Sequence, residues 1–388
     1  MAEDLPRIRL TRGRLLAFLV AALSVGLFLY FVLPKLVGLR QTWHRIDRGD
    51  PWWLAVAAVL ELLSFAGYVA AFRAVFTRDS PRVRGAAGVG WRESYQITMA
   101  SLAATRLFAA AGAGGIALTA WALRRAGMGP RSVAARMLAF LTLLYAVYMA
   151  AFVIDGLGLY VGLLPGPAPF AITVVPAIFG AVVIVVFLAI AFLTGELERL
   201  LGHWTAARRW PGRVARWLAA LSSTAAVGVR TAIDLMRSRD PAILGALGWW
   251  AFDIAVLWAC FHAFGAAPPD AVIVMAYFVG MLANTLPLPG GIGGVDGGMI
   301  GAFTAFGVNV EVSVVAVLAY RAFAFWLPTL PGTVAYFQLR RTVQRWQSSR
   351  PQRAAAPAGV RSVAPSTLPG VTRRDLAGIA TSDLPSYT

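Results

Sequence analysis

Seven ionisable side chains lie in or beside the long apolar stretches of this chain, where a charge is expected to serve a function. They are Glu61, Arg73, Arg106, Asp155, Asp253, Asp296 and Arg321. A charged side chain at the centre of a bilayer is costly, so it normally faces a partner or a water-filled cavity. Guanidinium groups there suit a phosphate, and carboxylates suit a cationic group or a proton. These residue types therefore indicate binding or transport of a charged group inside a membrane.

For three of these residues the sequence leaves open which charged group or ion they interact with. Glu61 and Asp253 occupy similar positions in two of the apolar stretches. Two interpretations are open for them, namely proton or cation coupling and a structural ion pair with an arginine. Arg321 lies well inside the last apolar stretch and needs a partner, for which Asp296, Glu61 or a lipid phosphate would serve.

Glycine-rich turns interrupt two further apolar stretches, 94–123 and 271–306. Backbone that leaves the helix at membrane depth has to be buried by protein or to line a cavity, because lipid offers no hydrogen bonds. Glycine also lets backbone N–H groups approach an anion, here at Gly114, Gly115, Gly290, Gly291, Gly293 and Gly294. We therefore expect both turns to line one polar groove. The predicted groove residues are Arg106, Gly114, Gly115, Asn284, Gly290, Gly291, Asp296 and Arg321.

The composition of the 388-residue chain excludes a soluble globular protein, since 59% of its residues are hydrophobic and only 14% are charged. Lysine and arginine number 35 against 18 aspartates and glutamates. In a membrane protein such an excess belongs to the cytoplasmic loops, so it does not indicate nucleic-acid binding.

No metal, cofactor or catalytic activity is expected from the remaining residues. Cys260 is the only cysteine, and His44, His203 and His262 are far apart in the sequence. The chain has no Walker A motif, no GxSxG motif and no hydrophilic stretch long enough for a catalytic domain. An intramembrane enzyme and a purely structural membrane protein are therefore weaker alternatives to a transporter.

Six apolar stretches are long enough to cross the hydrocarbon core, which takes about 20 helical residues. They cover residues 15–33, 52–76, 133–157, 170–193, 243–264 and 312–337. Arg73 and Asp155 lie near the ends of two of them and are expected to reach the membrane interface. The sequence therefore predicts an all-α polytopic membrane protein with about six full spans and two glycine-rich re-entrant hairpins.

Arginine-rich segments mark the cytoplasmic side of the predicted topology. They are the N-terminus, 78–92, 124–136, 199–239 and the tail from residue 340, whereas 158–169 and 265–271 carry no basic residue. The basic loop 35–48 is an exception, because it falls outside. Since 78–92 and 124–136 share a side, the first hairpin must enter and leave there, and the second must then dip from the opposite side. The halves 52–157 and 243–337 are therefore predicted to form an inverted repeat.

Two polar segments complete the predicted organisation around a membrane domain at 1–346. Residues 196–240 combine leucines at helical spacing with arginines and tryptophans, which predicts helices that lie in the cytoplasmic interface on anionic lipid headgroups. Residues 347–388 are rich in proline, serine and alanine and are predicted to form a disordered cytoplasmic tail.

The glycine turns resemble the motifs of a known family. The segments LPLPGGIGGVDGG at 286–298 and AYRAFAFWLPTLPGTVAY at 319–336 resemble the signature of the lysylphosphatidylglycerol synthase transmembrane, or flippase-like, family. GAGGIALTAWALRRAG at 112–127 resembles its earlier glycine motif, and the similarity covers 15–345. The family usually carries glutamate where this chain has Asp296. Bifunctional members add a soluble aminoacyl-transferase domain, which this chain does not show, so lysyl transfer is not expected.

The resemblance implies that the protein moves a phospholipid or lipid-linked headgroup between leaflets through a groove between the two halves. Arg106 and Arg321 would bind the phosphate, and Asp296, Glu61 or Asp253 would neutralise a cationic headgroup or take a proton. A secondary transporter of a small solute or ion and a polyprenyl-phosphate carrier are the alternative functions.

The expected partners are a membrane phospholipid as substrate and anionic headgroups at the cytoplasmic face, with no nucleic acid. Self-association into a homo-oligomer stays open. The expected location is the inner (plasma) membrane of a bacterial cell, with both termini of the multi-pass chain in the cytoplasm.

Overall fold

The computed structural model describes residues 49–77, 89–107, 113–192, 226–237, 241–265, 267–285, 291 and 293–355, and their regular structure is entirely helical. The principal helices are α1 (Pro51–Thr77), α2 (Trp91–Leu107), α3 (Ala113–Arg125), α4 (Pro130–Tyr160), α5 (Phe170–Phe192), α6 (Pro241–Phe264), α7 (Asp270–Met281), α8 (Gly294–Ala305), α9 (Val310–Arg321) and α10 (Leu327–Ala355). A 3₁₀ turn (Leu282–Thr285) extends α7, and a π-helical segment (Ala322–Trp326) connects α9 to α10. The prediction of an all-α polytopic protein is confirmed.

Five helical stretches within the described residues are long and apolar enough to cross a membrane. They are Pro51–Thr77, Pro130–Tyr160, Phe170–Ala189, Ala242–Phe264 and Val310–Ser348. These stretches coincide with five of the six predicted spans, and the remaining one, 15–33, lies outside the described residues. The last of them is one continuous helix made of α9, the π segment and α10.

The start of α4 and the end of α1 lie together on one side of the membrane. α4 begins at Pro130, directly after the extended residue Gly129. Proline suits this position because its missing N–H is not needed in the first helical turn. Arg136 then donates hydrogen bonds to the carbonyl oxygens of Val75 and Phe76, at 3.3 and 2.7 Å, and so satisfies carbonyl groups in the last turn of α1, which have no partner within the helix.

Two pairs of short helices form the predicted hairpins. α2 and α3 have 17 and 13 residues, and α7 and α8 have 12 each, whereas a span takes about 20. In the first hairpin the hydroxyls of Ser101 and Thr119 are hydrogen-bonded at 2.8 Å. In the second, a Cβ on Gly280 would lie 2.8 Å from the backbone nitrogen of Met299, so the two helices touch through their backbones.

The first helices of the two halves, α1 and α6, pack against each other in antiparallel directions. At one end the Asp50 N–H donates to the Ala263 carbonyl oxygen at 2.9 Å. Further along, a Cβ on Gly67 would lie 2.9 Å from the carbonyl oxygen of Gly245. Small residues allow such close approach of membrane helices. The opposite directions of these corresponding helices fit the predicted inverted repeat.

The last span connects the two halves. Its first part, α9, packs on α6 and α8 of the second half. Its second part, α10, packs on α2 of the first hairpin, where a Cβ on Gly332 would lie 2.6 Å from the Met99 carbonyl oxygen. Thr342 also donates a hydrogen bond to Gln96 at 2.9 Å. The π segment therefore separates a region that contacts one half from a region that contacts the other.

Two predicted segments differ from the structure or fall largely outside it. α10 continues to Ala355, beyond the predicted start of the tail at 347, because the glutamines, arginines and alanines there extend the helix. Residues 356–388 lie outside the described residues. Of the predicted interfacial segment 196–240, the structure describes residues 226–237, which are helical.

Candidate functional site

A cavity of about 380 Å³ lies between the two hairpins and is lined by residues of both halves. This volume suits a lipid headgroup or another small polar ligand. Its polar lining includes Glu61, Ser101, Thr105, Asp253, Asn284 and Arg321. Its apolar lining includes Phe72, Phe76, Met137, Phe140 and Leu141. The cavity is therefore amphipathic, with charged groups placed among membrane-spanning helices.

Both glycine turns contribute to the wall of this cavity. In the first, Gly115 lines the cavity, and a Cβ there would lie 2.6 Å from the Ser101 carbonyl oxygen. In the second, Gly291 has φ +65 and lines the cavity beside Asn284, whose side-chain oxygen would lie 2.5 Å from a Cβ on Gly291. A larger residue would push the hairpin helices apart at Gly115, and at Gly291 it would displace the Asn284 side chain and strain the backbone.

Four other predicted groove residues are not found in the described lining of the cavity. Gly114, at the start of α3, and Asp296, in the first turn of α8, are not part of the cavity lining. Arg106 lies in the last turn of α2, and its side chain is outside the described part of the chain. Gly290 also lies outside the described residues.

Two buried carboxylates face the cavity from the antiparallel helices α1 and α6. Glu61 is 1% exposed, Asp253 is 7% exposed, and both line the cavity. One oxygen of Asp253, Oδ2, accepts hydrogen bonds from the hydroxyls of Tyr277 and Tyr320. These tyrosines bring α7 and α9 to the same carboxylate. Hydroxyl donors of this kind offset part of the cost of a charge in the membrane interior.

Arg321 is ion-paired with Asp296. Its Nε lies 2.7 Å from the Asp296 carboxylate, and the two side chains are 14% and 15% exposed. Arg321 also lines the cavity, with its guanidinium 5.4 Å from the centre of the Phe325 ring. Of the three partners that the sequence allowed for Arg321, the structure places Asp296 against it. The aspartate reaches the arginine although it is one methylene shorter than the usual glutamate.

The expectation for Gly293 is wrong. Its N–H does not point to a site for an external anion, because it donates to the Asp296 carboxylate at 2.9 Å. Gly293 has φ +81, a conformation that favours glycine. The N-terminus of α8 thus holds an anion that the chain itself supplies, three residues along the helix.

Asp155 does not reach the membrane interface as expected. It is 7% exposed, and its Oδ2 has no hydrogen-bond partner among the described residues. α5 covers this part of α4 so closely that a Cβ on the adjacent Gly156 would lie 2.5 Å from the Thr173 carbonyl oxygen. Arg73, near the end of α1, places its guanidinium 4.4 Å from the centre of the Trp91 ring. Neither Asp155 nor Arg73 lines the cavity.

Sequence reasoning missed the hydroxyl groups of the cavity. Tyr277 and Tyr320 are 0% and 1% exposed, and their hydroxyls meet Asp253. The sequence contained a signal that could have identified Tyr277. Tyr277 lies seven residues before Asn284, which corresponds to two helical turns and places both residues on the same face of a helix. Tyr320 directly precedes Arg321. The tyrosines read as ordinary aromatic residues of an apolar stretch, which is why the pattern alone did not select them.

The cavity has an exposed rim formed by Ile116, Tyr145 and Asn284. Ile116 is 47% exposed, Tyr145 is 53% exposed, and Asn284 is also exposed. Ile116 and Asn284 belong to the tips of the two hairpins, and Tyr145 lies midway along the span Pro130–Tyr160. At least one residue of the rim, Tyr145, therefore lies near the middle of a membrane-spanning helix.

Comparisons with known proteins agree with this architecture. The family model described as "Lysylphosphatidylglycerol synthase TM region" matches residues 15–332. A UPF0104 membrane protein of Methanothermobacter thermautotrophicus is 24% identical in an alignment of length 337 that covers 80% of this chain and 92% of that protein. A second UPF0104 membrane protein of the same organism is 35% identical over 109 residues, and the alignment spans only 28% of this chain and 31% of that relative.

The match to the family model includes both hairpins, the helices that carry Glu61 and Asp253, and the last span as far as Gly332. It extends over most of the chain, and the resemblance of the glycine motifs is thereby confirmed. This chain belongs to the family of the lysylphosphatidylglycerol synthase transmembrane region.

Proposed function

We propose that the protein is a lipid translocase, which moves a phospholipid or a lipid-linked headgroup between the two leaflets. One observation carries the proposal. The amphipathic cavity between the hairpins has three exposed lining residues, Ile116, Tyr145 and Asn284, and Tyr145 lies midway along a membrane-spanning helix. A headgroup needs a polar path across the membrane, whereas its acyl chains do not. A cavity with such a rim serves both parts of an amphipathic molecule.

In this mechanism the headgroup passes through the cavity while the acyl chains stay in the bilayer beyond the rim. Arg321 binds a phosphate oxygen through its guanidinium, and Asp296 holds that guanidinium in place. Arg106 of the first hairpin is proposed as the second phosphate-binding group. Glu61 and Asp253 balance a cationic part of the headgroup or take up a proton.

We also propose the cellular setting of this activity. The protein lies in the inner membrane of a bacterial cell with both termini in the cytoplasm, where the arginine-rich segments contact anionic headgroups. It acts as a transporter without enzymatic activity, and its partner is a phospholipid rather than a nucleic acid.

The test is leaflet exchange by the purified protein in liposomes. Fluorescent analogues of phosphatidylglycerol, phosphatidylethanolamine and phosphatidylcholine are reconstituted with the protein, and an impermeant quencher reports which leaflet they occupy. The variants are Arg321→Ala and Glu61→Gln. Asp155→Asn is the matched control, because Asp155 is a buried carboxylate in a span but lies outside the cavity lining.

We expect exchange that depends on the headgroup, is lost in Arg321→Ala and persists in Asp155→Asn. Absence of exchange for all three phospholipids, with a monodisperse and helical protein, would overturn phospholipid translocation. The same liposomes loaded with a polyprenyl phosphate or with small solutes would then test the two alternative functions. An equal loss in Asp155→Asn would mean that the cavity is not the path.

A further inference from the structure

Three helices of the second half meet at one carboxylate oxygen. Asp253 of α6 accepts hydrogen bonds at Oδ2 from Tyr277 of α7 and from Tyr320 of α9. All three side chains line the cavity, and the two tyrosines are at most 1% exposed. An ionised carboxylate is an acceptor only, so both phenol groups must be donors in this arrangement.

We propose that Asp253 is a proton-binding site that couples lipid movement to a proton gradient, with Tyr277 and Tyr320 as positioning residues that connect its charge to the packing of α7 and α9. The coupling part rests on the proposed function, whereas proton binding itself does not. A proton requires one lone pair of the carboxylate, whereas a hard metal cation requires several oxygen ligands.

The chemistry of proton uptake explains why the tyrosines matter. A proton from the water on one face of the membrane forms an O–H bond with the carboxylate, and no other covalent bond changes. The neutral carboxyl group keeps acceptor oxygens, but it accepts phenol hydrogens less strongly than an ionised carboxylate does. Both tyrosine hydrogen bonds to Asp253 are therefore weaker after proton uptake. Proton uptake thus weakens the contacts of α6 with the second hairpin and with the last span.

The position of Tyr320 gives this change a route to the other half. Tyr320 directly precedes Arg321, and the π segment Ala322–Trp326 follows at once. π-helical segments within α-helices often occur at functional sites. Beyond the π segment the last span packs on α2 of the first hairpin, at Gly332. A change at Tyr320 therefore acts where the last span passes from one half to the other.

Other titratable and charged groups near Asp253 come from each neighbouring element. Among the described residues they are Glu61 on α1, Tyr145 and Tyr148 on α4, Tyr277 on α7, Tyr320 and Arg321 on α9, and Asp296 on α8 through its ion pair with Arg321. Glu61 is the second carboxylate of the cavity, so Glu61→Gln is included to assign proton uptake to one of the two.

The first experiment measures the distribution of a fluorescent phospholipid between leaflets in liposomes with an imposed pH gradient. If one proton moves with each lipid, a gradient of one pH unit shifts the leaflet ratio by up to about tenfold. We expect this shift in the wild type, no shift in Asp253→Asn, and a smaller shift in Tyr277→Phe and Tyr320→Phe. Tyr148→Phe is the matched control, since Tyr148 is buried but donates to the Phe278 carbonyl oxygen outside the lining.

Lipid exchange without a gradient-dependent ratio would overturn the coupling while leaving the proposed function intact. An equally reduced shift of the leaflet ratio in Tyr148→Phe would show that Tyr277 and Tyr320 have only structural roles. If only Glu61→Gln loses the shift in the leaflet ratio, the proton binds to Glu61 and not to Asp253. If a sodium gradient shifts the leaflet ratio and a pH gradient does not, the coupled ion is a metal cation and not a proton.

A second experiment measures proton binding to the protein independently of lipid transport. Infrared difference spectra of the protein in liposomes, recorded between acidic and alkaline buffer, contain the C=O band of a protonated carboxyl group. We expect a band that is absent in Asp253→Asn, changes frequency in Tyr277→Phe and Tyr320→Phe, and is unaffected in Tyr148→Phe. If Asp253→Asn has the same bands as the wild type, Asp253 is not the proton site, whatever lipid the protein moves.

Discussion

Arg321 and Asp296 form an ion pair, at 2.7 Å between Nε and the carboxylate, that joins the last span to the second hairpin. The same carboxylate accepts the N–H of Gly293 at the start of α8. One side chain thus holds both a guanidinium at the cavity and the first turn of a hairpin helix. Removal of Arg321 would leave the mostly buried Asp296 carboxylate without its guanidinium partner.

Arg321→Ala is expected to lower the free energy of unfolding by up to about 3 kcal/mol, because Asp296 then keeps its charge without its partner. The double variant Arg321→Met with Asp296→Met removes both charges and should recover most of that stability. It should still lack lipid exchange. Thermal unfolding in detergent and leaflet exchange in liposomes measure the two effects separately.

Asp296→Glu is the control for this ion pair, since glutamate is the residue usual in the family at this place. It should keep both exchange and stability close to the wild type. A double methionine variant that still moves lipid would show that the pair is structural only.

Gly67→Ala and Gly245→Ala are expected to destabilise the contact between α1 and α6, each by about 1–3 kcal/mol. The new methyl group at Gly245 would lie 2.6 Å from the Ala71 backbone nitrogen, which cannot move without shifting the helix. Gly248→Ala is the control on the same helix, because its nearest neighbour is the Phe252 ring at 3.7 Å. Thermal unfolding of the three variants checks this, and equal melting temperatures would contradict the close packing of the two halves.

Gly115→Ala and Gly280→Ala are expected to reduce lipid exchange severalfold by separating the helices of each hairpin. A Cβ at either position would meet backbone atoms of the partner helix within 2.8 Å. Gly301→Ala adds the same methyl group to α8 where nothing lies within 4 Å, and it should exchange lipid normally. Exchange rates per folded protein distinguish the two groups, and a Gly301→Ala variant as slow as the others would count against hairpin spacing.

The rim of the cavity can be tested with bulky thiol labels, because Cys260 is the only cysteine and is buried. In a Cys260→Ala background, a large lipid-soluble label on Ile116→Cys or Tyr145→Cys should slow lipid exchange severalfold by obstructing the opening. Ile154→Cys is the control on the same span, since Ile154 is 70% exposed but does not line the cavity. Unchanged exchange after complete labelling at positions 116 and 145 would place the lipid path elsewhere.

Much of the fold could be predicted because a membrane leaves the chain few choices. Helices cover residues 52–76, 133–157, 170–192, 243–264 and 312–337 as predicted, since hydrocarbon offers backbone groups no other hydrogen-bond partners. The two hairpins were predictable from glycine turns and loop charge. The tail boundary at 347 was not, because α10 continues to Ala355 through arginine, glutamine and alanine, which favour a helix although the segment also contains proline and serine.

The sequence predicted which charged residues belong to the candidate site, but not which groups they contact. Glu61, Asp253 and Arg321 stand out because charges are rare in apolar stretches, and all three line the cavity. The prediction for Asp155 failed since its distance from the end of α4 does not reveal that α5 covers it. Gly293 looked suited to a bound anion, but the carboxylate of Asp296 accepts its N–H.

By itself the sequence determined the membrane-spanning helices, the two broken stretches and the family, because hydropathy, glycine turns and motif residues are properties of local segments. Only the tertiary structure decided which polar groups meet. Asp253 meets Tyr277 and Tyr320, which are 24 and 67 residues away. Such contacts depend on how each helix is rotated about its axis and how closely its neighbours approach. The residues of an apolar stretch are too similar in polarity to specify the rotation or the distance.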